Sequence, residues 1–158
     1  CAYAFAEAEV VLSDICADAL AVATMNIAGH DLSNRVSVLE SDLFSGVAAD
    51  QTFDLIVSNP PYVDAEDIAS MPEEYRHEPE LALASGDDGL DFTRRLLQQA
   101  EQHLSAAGVL AVEVGNSWVA LESAFPTVPF VWLEFSEGDS GVFVLTRDQL
   151  VEHRESFQ

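Results

Sequence analysis

The feature that most constrains the fold is an ordered alternation of short apolar runs and helical stretches. "AEVVLSDI" (8–15), "RVSVLESDLF" (35–44) and "FDLIVSN" (53–59) are strand-length runs, rich in β-branched residues and ending in acids or an amide. Between the first two, "CADALAVATMNIAG" (16–29) sets Leu20, Ala23 and Ile27 on one helical face and stops at Gly29. Further on, "LDFTRRLLQQAEQHL" (90–104) carries Phe92, Leu96, Leu97, Ala100 and Leu104 at helical spacing. "GVLAVEVG" (108–115) is an almost unbroken apolar strand, and "NSWVALESAF" is a short helix before Pro126. "FVWLEF" (130–135) and "GVFVLT" (141–146), joined by the turn-rich "SEGDS", read as an antiparallel hairpin, followed by a polar, frayed helix over 147–157. This order predicts an α/β sandwich with a mostly parallel sheet. The terminal hairpin sets it apart from an all-parallel dinucleotide-binding sheet.

At 158 residues the length predicts one domain, 1–158. No apolar stretch approaches the roughly 18 residues of a membrane-spanning helix. The N-terminus shows neither the basic region nor the cleavage pattern of a secretory signal, so the expected location is cytoplasmic. The formal net charge is −22, with every cation an arginine. Such a surface repels nucleic-acid phosphates, so stable nucleic-acid binding is not expected of it. It suits a basic partner, a salty interior or plain solubility. Cys1 and Cys16 lack any metal-ligand spacing and read as reduced core or helix residues. His30, His103 and His153 read as helix-end or surface residues, His77 as a loop residue, and Trp118 and Trp132 as core.

Asp14 and Asp42 stand where strands give way to loops. In open α/β sheets, ligands bind outside the carboxyl ends of the strands, where an acid accepts hydrogen bonds from ribose hydroxyls. An acid one strand further on can accept from an exocyclic adenine amine, with Leu43 and Phe44 as an apolar wall. Taken alone, each acid is better read as a cap of the following helix or turn; the two together, ahead of the motif at 59–62, point to the ligand edge.

The strand at 53–59 ends abruptly in Asn59-Pro60-Pro61-Tyr62. Proline fixes φ, lacks an N–H and drives the preceding residue to extended geometry. The result is a rigid, donor-poor hook rich in acceptors. Asn59 adds a carbonyl acceptor and an amide donor, and Tyr62 a flat face for stacking. Such a site is built to hold a planar –NH2. The chemistry that needs it is alkylation of a nitrogen whose lone pair is delocalised. Two acceptors gripping the N–H bonds align that nitrogen with an electrophilic methyl group, without a titrating base. A turn that only ends a strand explains the prolines but not the asparagine and tyrosine flanking them.

Asp14, "SDLF" (41–44) and "NPPY" (59–62), in this order, resemble the amino-group methyltransferases that use S-adenosylmethionine. "EEYRHEPELALASGDDGLDFTRRLL" (73–97), "VEVGNS" (112–117) and "PFVWLEF" (129–135) resemble more narrowly the PrmB/PrmC family of glutamine methyltransferases. Within it they match the branch acting on the third protein of the large ribosomal subunit better than the release-factor branch. The resemblance implies a Rossmann-like class I methyltransferase sandwich with S-adenosylmethionine as cofactor and a ribosomal-protein glutamine amide as target. It implies that Asp14 binds the cofactor ribose, Asp42, Leu43 and Phe44 flank its adenine, Asn59 also contacts the cofactor, and Asn59, Pro60, Pro61 and Tyr62 hold the target nitrogen. Arg76, Glu78 and Glu80 become candidates for contact with the protein substrate. Release-factor or nucleobase methylation, and a non-enzymatic module on the same fold, remain alternatives.

Two departures from the family stand out. The helix after Asp14 opens with Cys16-Ala17-Asp18 where the family has Ser-Pro-Asp, which weakens a cap. The family's glycine-rich cofactor loop and central first strand would precede residue 1. The expectation is therefore a sheet without that strand, weak cofactor binding, an inactive chain and exposed edges that invite association between copies.

Overall fold

The computed structural model describes residues 1–60, 86, 88–135 and 141–158. The chain divides into two compact units, Cys1–Gln51 and Thr52–Gln158.

The first unit is a strand–helix–strand crossover. Strand β1 (Val10–Asp14) and β2 (Val36–Glu40) pair in parallel, in register from Val10↔Val36 to Asp14↔Glu40. Helix α1 (Ala17–Gly29) connects them and buries Leu20 and Ile27. Parallel strands need such a crossover because no short turn can reverse the chain between them. Cys16 is the helix N-cap and gives no side-chain cap, as its sequence predicts. Arg35 donates to the carbonyl oxygens of Ala2 (2.6 Å), Phe5 (3.3 Å) and Ala8 (3.4 Å), and the Tyr3 hydroxyl pairs with His30 Nδ1 at 3.0 Å. These bonds fasten residues 1–8 to the crossover by satisfying backbone acceptors that no ladder reaches.

The second unit is a four-stranded sheet in the order β3-β4-β6-β5. β3 (Phe53–Ser58) runs parallel to β4 (Leu104–Glu113). β6 (Val142–Thr146) is antiparallel to both β4 and β5 (Val131–Leu133), so the hairpin read from sequence is present. On one face, α2 (Asp91–Gln99), α3 (Trp118–Ala124) and α4 (Arg147–Glu152) contribute to a core with the sheet. Leu96, Leu97, Leu110, Val112, Leu121, Phe143, Leu145 and Leu150 are all 2% exposed or less there. Alternation along β3 leaves the other face barer, with Leu55 and Val57 39% and 58% exposed.

Several expectations need correction. The helix read over 90–104 ends at Gln99 and tightens into a 3-10 turn, Ala100–His103. Leu104 belongs instead to β4, opposite Phe53. The register between β3 and β4 then slips ahead of Val109, where Gly108 lies so close to Ser105 that a Cβ would come 2.9 Å from its backbone. The C-terminal helix is docked rather than frayed. Thr146 and Gln149 form a capping box at its start, and Leu150 and Phe157 are buried. Trp118 is 40% exposed and stacks edge-on to Trp132, which is itself only half-buried and donates to Glu122 at 2.9 Å. Both cysteines are exposed, because each lies outside the faces that close either core.

Candidate active site

Asp14 is the last residue of β1 and is exposed. Its Oδ1 accepts from the Cys16 N–H at 2.8 Å, which orients the carboxylate at the mouth of α1. Its carbonyl accepts from Ser41 N–H at 2.9 Å, carrying the parallel ladder one step past Glu40. Asp42 therefore follows directly at the same carboxyl end of the two strands. The two acids thus stand at the same carboxyl end of β1 and β2.

The segment Asp42–Phe44 is a built loop. Leu43 takes a left-handed conformation with φ 51°, which costs a branched, non-glycine residue about 1–2 kcal/mol. Buried Ser41 holds it there: its hydroxyl donates to the Leu43 carbonyl at 2.8 Å and accepts from Gly46 N–H at 2.9 Å. The Ser45 hydroxyl accepts from Asp42 N–H at 3.2 Å, and Ser45 N–H bonds the Asp42 carbonyl at 3.1 Å. Gly46 is required by space, since a Cβ would meet the Glu40 carbonyl at 2.8 Å. The strain at Leu43 turns it and Phe44, both half-buried, into a fixed wall beside Asp42. Asp14 is thus an exposed carboxylate, and Asp42 a half-buried one beside the partly apolar wall of Leu43 and Phe44.

In the second unit, Asn59 follows the last paired residue of β3 and is exposed, while Pro60 is buried. An exposed asparagine thus stands next to a buried proline at the carboxyl end of the strand. Pro61, Tyr62, Arg76, Glu78, Glu80 and His77 lie outside the described residues. Beside Asn59, the turn after β4 is locked against the start of β6. Val114 N–H donates to the Gly141 carbonyl at 2.8 Å. Gly141 has φ 101°, and a Cβ there would strike the Gly115 carbonyl.

At the start of α2, the Arg94 guanidinium donates to both Asp88 carboxylate oxygens (3.0 and 2.5 Å), and Leu90 N–H adds a bond at 3.1 Å. The hydrogen bonds from Arg94 hold the Asp88 carboxyl below the usual carboxylate range, against a smaller opposing effect of burial. Arg94 is held more firmly protonated by the same pair. The pair fixes the entry to α2, whose first turn has no side-chain cap at Leu90. Among the described residues no group of His, Cys, Asp or Glu is arranged to hold a metal ion. No helix among them is long and apolar enough to cross a membrane.

The sequence reading missed Ser41 and Glu113. Ser41 was legible as a small polar residue ahead of a glycine in a tight loop. Glu113 obeys the rule that singled out Asp14 and Asp42, an acid at the carboxyl end of a parallel strand.

Residues 1–74 match the family model for the methyltransferase small domain. A protein of Francisella tularensis named ribosomal protein uL3 glutamine methyltransferase is 51% identical over 158 residues, all of this chain and 50% of that protein. A protein of the same name from Neisseria gonorrhoeae is 51% identical over 150 residues, 95% of this chain and 50% of that protein. The chain spans about half the length of these curated relatives. The crystal structure of a methyltransferase from Pyrococcus furiosus superposes with TM-score 0.62 at 19% identity, covering 92% of this chain and 66% of that one, which shows a shared fold. Over its whole length the chain is thus similar to proteins named ribosomal protein uL3 glutamine methyltransferase, and over residues 1–74 to the methyltransferase small domain.

Proposed function

We propose that the protein carrying this chain methylates a glutamine side-chain amide of ribosomal protein uL3. The observation that carries this reading is 51% identity across the entire chain to proteins of that name. S-Adenosylmethionine supplies the electrophilic methyl group. Asp14 binds its ribose, and Asp42, Leu43 and Phe44 enclose its adenine. The Asn59 carbonyl oxygen and the backbone carbonyl of Pro60 accept the two amide hydrogens, while Pro61 keeps the hook rigid. Tyr62 stacks on the amide plane, and Arg76, Glu78 and Glu80 contact the surrounding polypeptide.

Two features support this assignment. Asn59 is exposed at a strand end whose next residue is buried, the placement a rigid acceptor needs. The net charge of −22 attracts a cationic protein and repels free nucleic acid, which favours a ribosomal protein over a nucleobase as target. Residues 1–158 belong, in this reading, to a catalytic domain that works in the cytoplasm.

The test is methyl transfer from labelled S-adenosylmethionine by the native protein that carries these 158 residues. Acceptors are unmethylated uL3, an unmethylated release factor and DNA. Label confined to a uL3 glutamine supports the proposal. Label on the release factor or DNA alone, or on none of them, refutes it.

A further inference from the structure

The ladder between β3 and β4 gives Asn59 a neighbour whose chemistry the amide hook does not use. Ser58 is paired with Val112, the last pair of that ladder, so Asn59 and Glu113 are the next residues along the two parallel strands. Side chains alternate along a strand, and Val57 and Ala111 are paired on the barer face of the sheet. Glu113, two residues on in β4, returns to that face, and so does Asn59 in the extended geometry that a following proline favours. Adjacent strands are about 4.8 Å apart, so a glutamate side chain reaches the space above its neighbour's side chain. Glu113 is half-buried. It is also held in place, because the next residue, Val114, is bonded to the Gly141 carbonyl and Gly141 packs against Gly115 with no room for a side chain.

From this juxtaposition we infer that Glu113 is a second catalytic residue, the proton acceptor for the amide nitrogen held at Asn59. The inference rests on the proposed methyl transfer. As the N–C bond forms and the S–C bond breaks, the sulfonium becomes a neutral thioether and its positive charge passes to the amide nitrogen. An N-alkylated, N-protonated amide is a strong acid. Its excess proton goes to the nearest carboxylate, which also stabilises the developing charge in the transition state. Asn59 and the Pro60 carbonyl are neutral acceptors that align the nitrogen but cannot take up a full proton. Glu113 supplies the negative charge on the same face, and the proton then passes to water.

The test uses Glu113→Gln and Glu113→Asp in the native protein, with two readouts. Removing a positioned proton acceptor typically costs about 100-fold or more. The Gln variant should therefore lose about 100-fold in kcat with KM for the protein substrate within threefold, and Asp should restore part of the loss. The second readout needs no turnover. In the presence of S-adenosylhomocysteine, the Glu113 side-chain carboxyl 13C signal and the Asn59 side-chain NH2 signals are followed while N-acetylglutamine methylamide is added. Movement of both supports the inference. Movement at Asn59 with none at Glu113, or a Gln variant with kcat within threefold of wild type, overturns it and leaves the methyltransferase reading standing. Movement at neither, together with no methyl transfer to glutamine, overturns both.

Discussion

The loop that would receive adenine depends on one buried hydroxyl, and Ser41→Ala removes it. In the native loop that hydroxyl makes two hydrogen bonds, to the Leu43 carbonyl at 2.8 Å and from the Gly46 N–H at 2.9 Å. Each contributes about 1 kcal/mol net, so the first-order loss is about 2 kcal/mol. Relaxation limits the damage, because without the bond Leu43 can leave its left-handed conformation. That would recover at most the strain of about 1–2 kcal/mol. The expected net cost therefore lies between about 0 and 2 kcal/mol, centred near about 1 kcal/mol and concentrated in residues 41–46. Hydrogen exchange reads it locally: the Gly46 amide should open roughly 5-fold more often, and up to about 30-fold if Leu43 does not relax, following the tenfold per 1.4 kcal/mol rule. Ser45→Ala is the control, since the Ser45 hydroxyl is exposed and makes one longer bond, 3.2 Å from Asp42 N–H. It should change exchange at Gly46 less than threefold. Equal effects of the two variants, or a Ser41→Ala protein with native exchange at Gly46, would refute the claim that Ser41 holds this wall.

Other consequences follow from the second unit. Gly141→Ala forces a methyl group into the Gly115 carbonyl at φ 101° and should cost at least about 2–3 kcal/mol in urea unfolding; an unchanged midpoint would show that the lock is not rigid. The Asp88 carboxyl is depressed in the folded state by its hydrogen bonds with Arg94. Its stabilisation is therefore complete above the unfolded carboxylate value of about 3.9 and is lost as pH falls through the lower folded value. Both side chains are more than a third exposed or close to it, so the pair is worth less than about 1 kcal/mol. Asp88→Asn should be less stable than wild type by that small amount at pH 6, and the difference should shrink as pH falls below about 3.9. A variant equally stable at pH 6 would show that the pair contributes nothing.

Much of the fold was legible because its signals are local. β-branched runs ending at Asp14, near Asp42 and at Asn59 marked the strands, and Leu20 and Ile27 at helical spacing marked α1 and its buried face. The errors arose where tertiary pairing overrode local pattern. Leu104 continues the apolar stripe of α2, yet it is claimed by β4 because Phe53 offers it a ladder partner. The C-terminal segment is polar by composition, but Leu150 and Phe157 suffice to dock it. At the candidate site, the strand ends were readable and their support was not. Asp14, Asp42 and Asn59 stand at strand ends that the pattern locates, whereas the left-handed Leu43 and its tether to Ser41 exist only in three dimensions. Glu113 was hidden by the apolar run around it, in "GVLAVEVG".

The most direct test of the central claim is mass spectrometry of uL3 after incubation with S-adenosylmethionine and either the wild-type protein or its Asn59→Ala variant. The account predicts one added methyl on a glutamine side-chain nitrogen with wild type, and a loss of at least about 100-fold in rate with the variant while the cofactor still binds. An Asn59→Ala protein that methylates glutamine at the wild-type rate would contradict it.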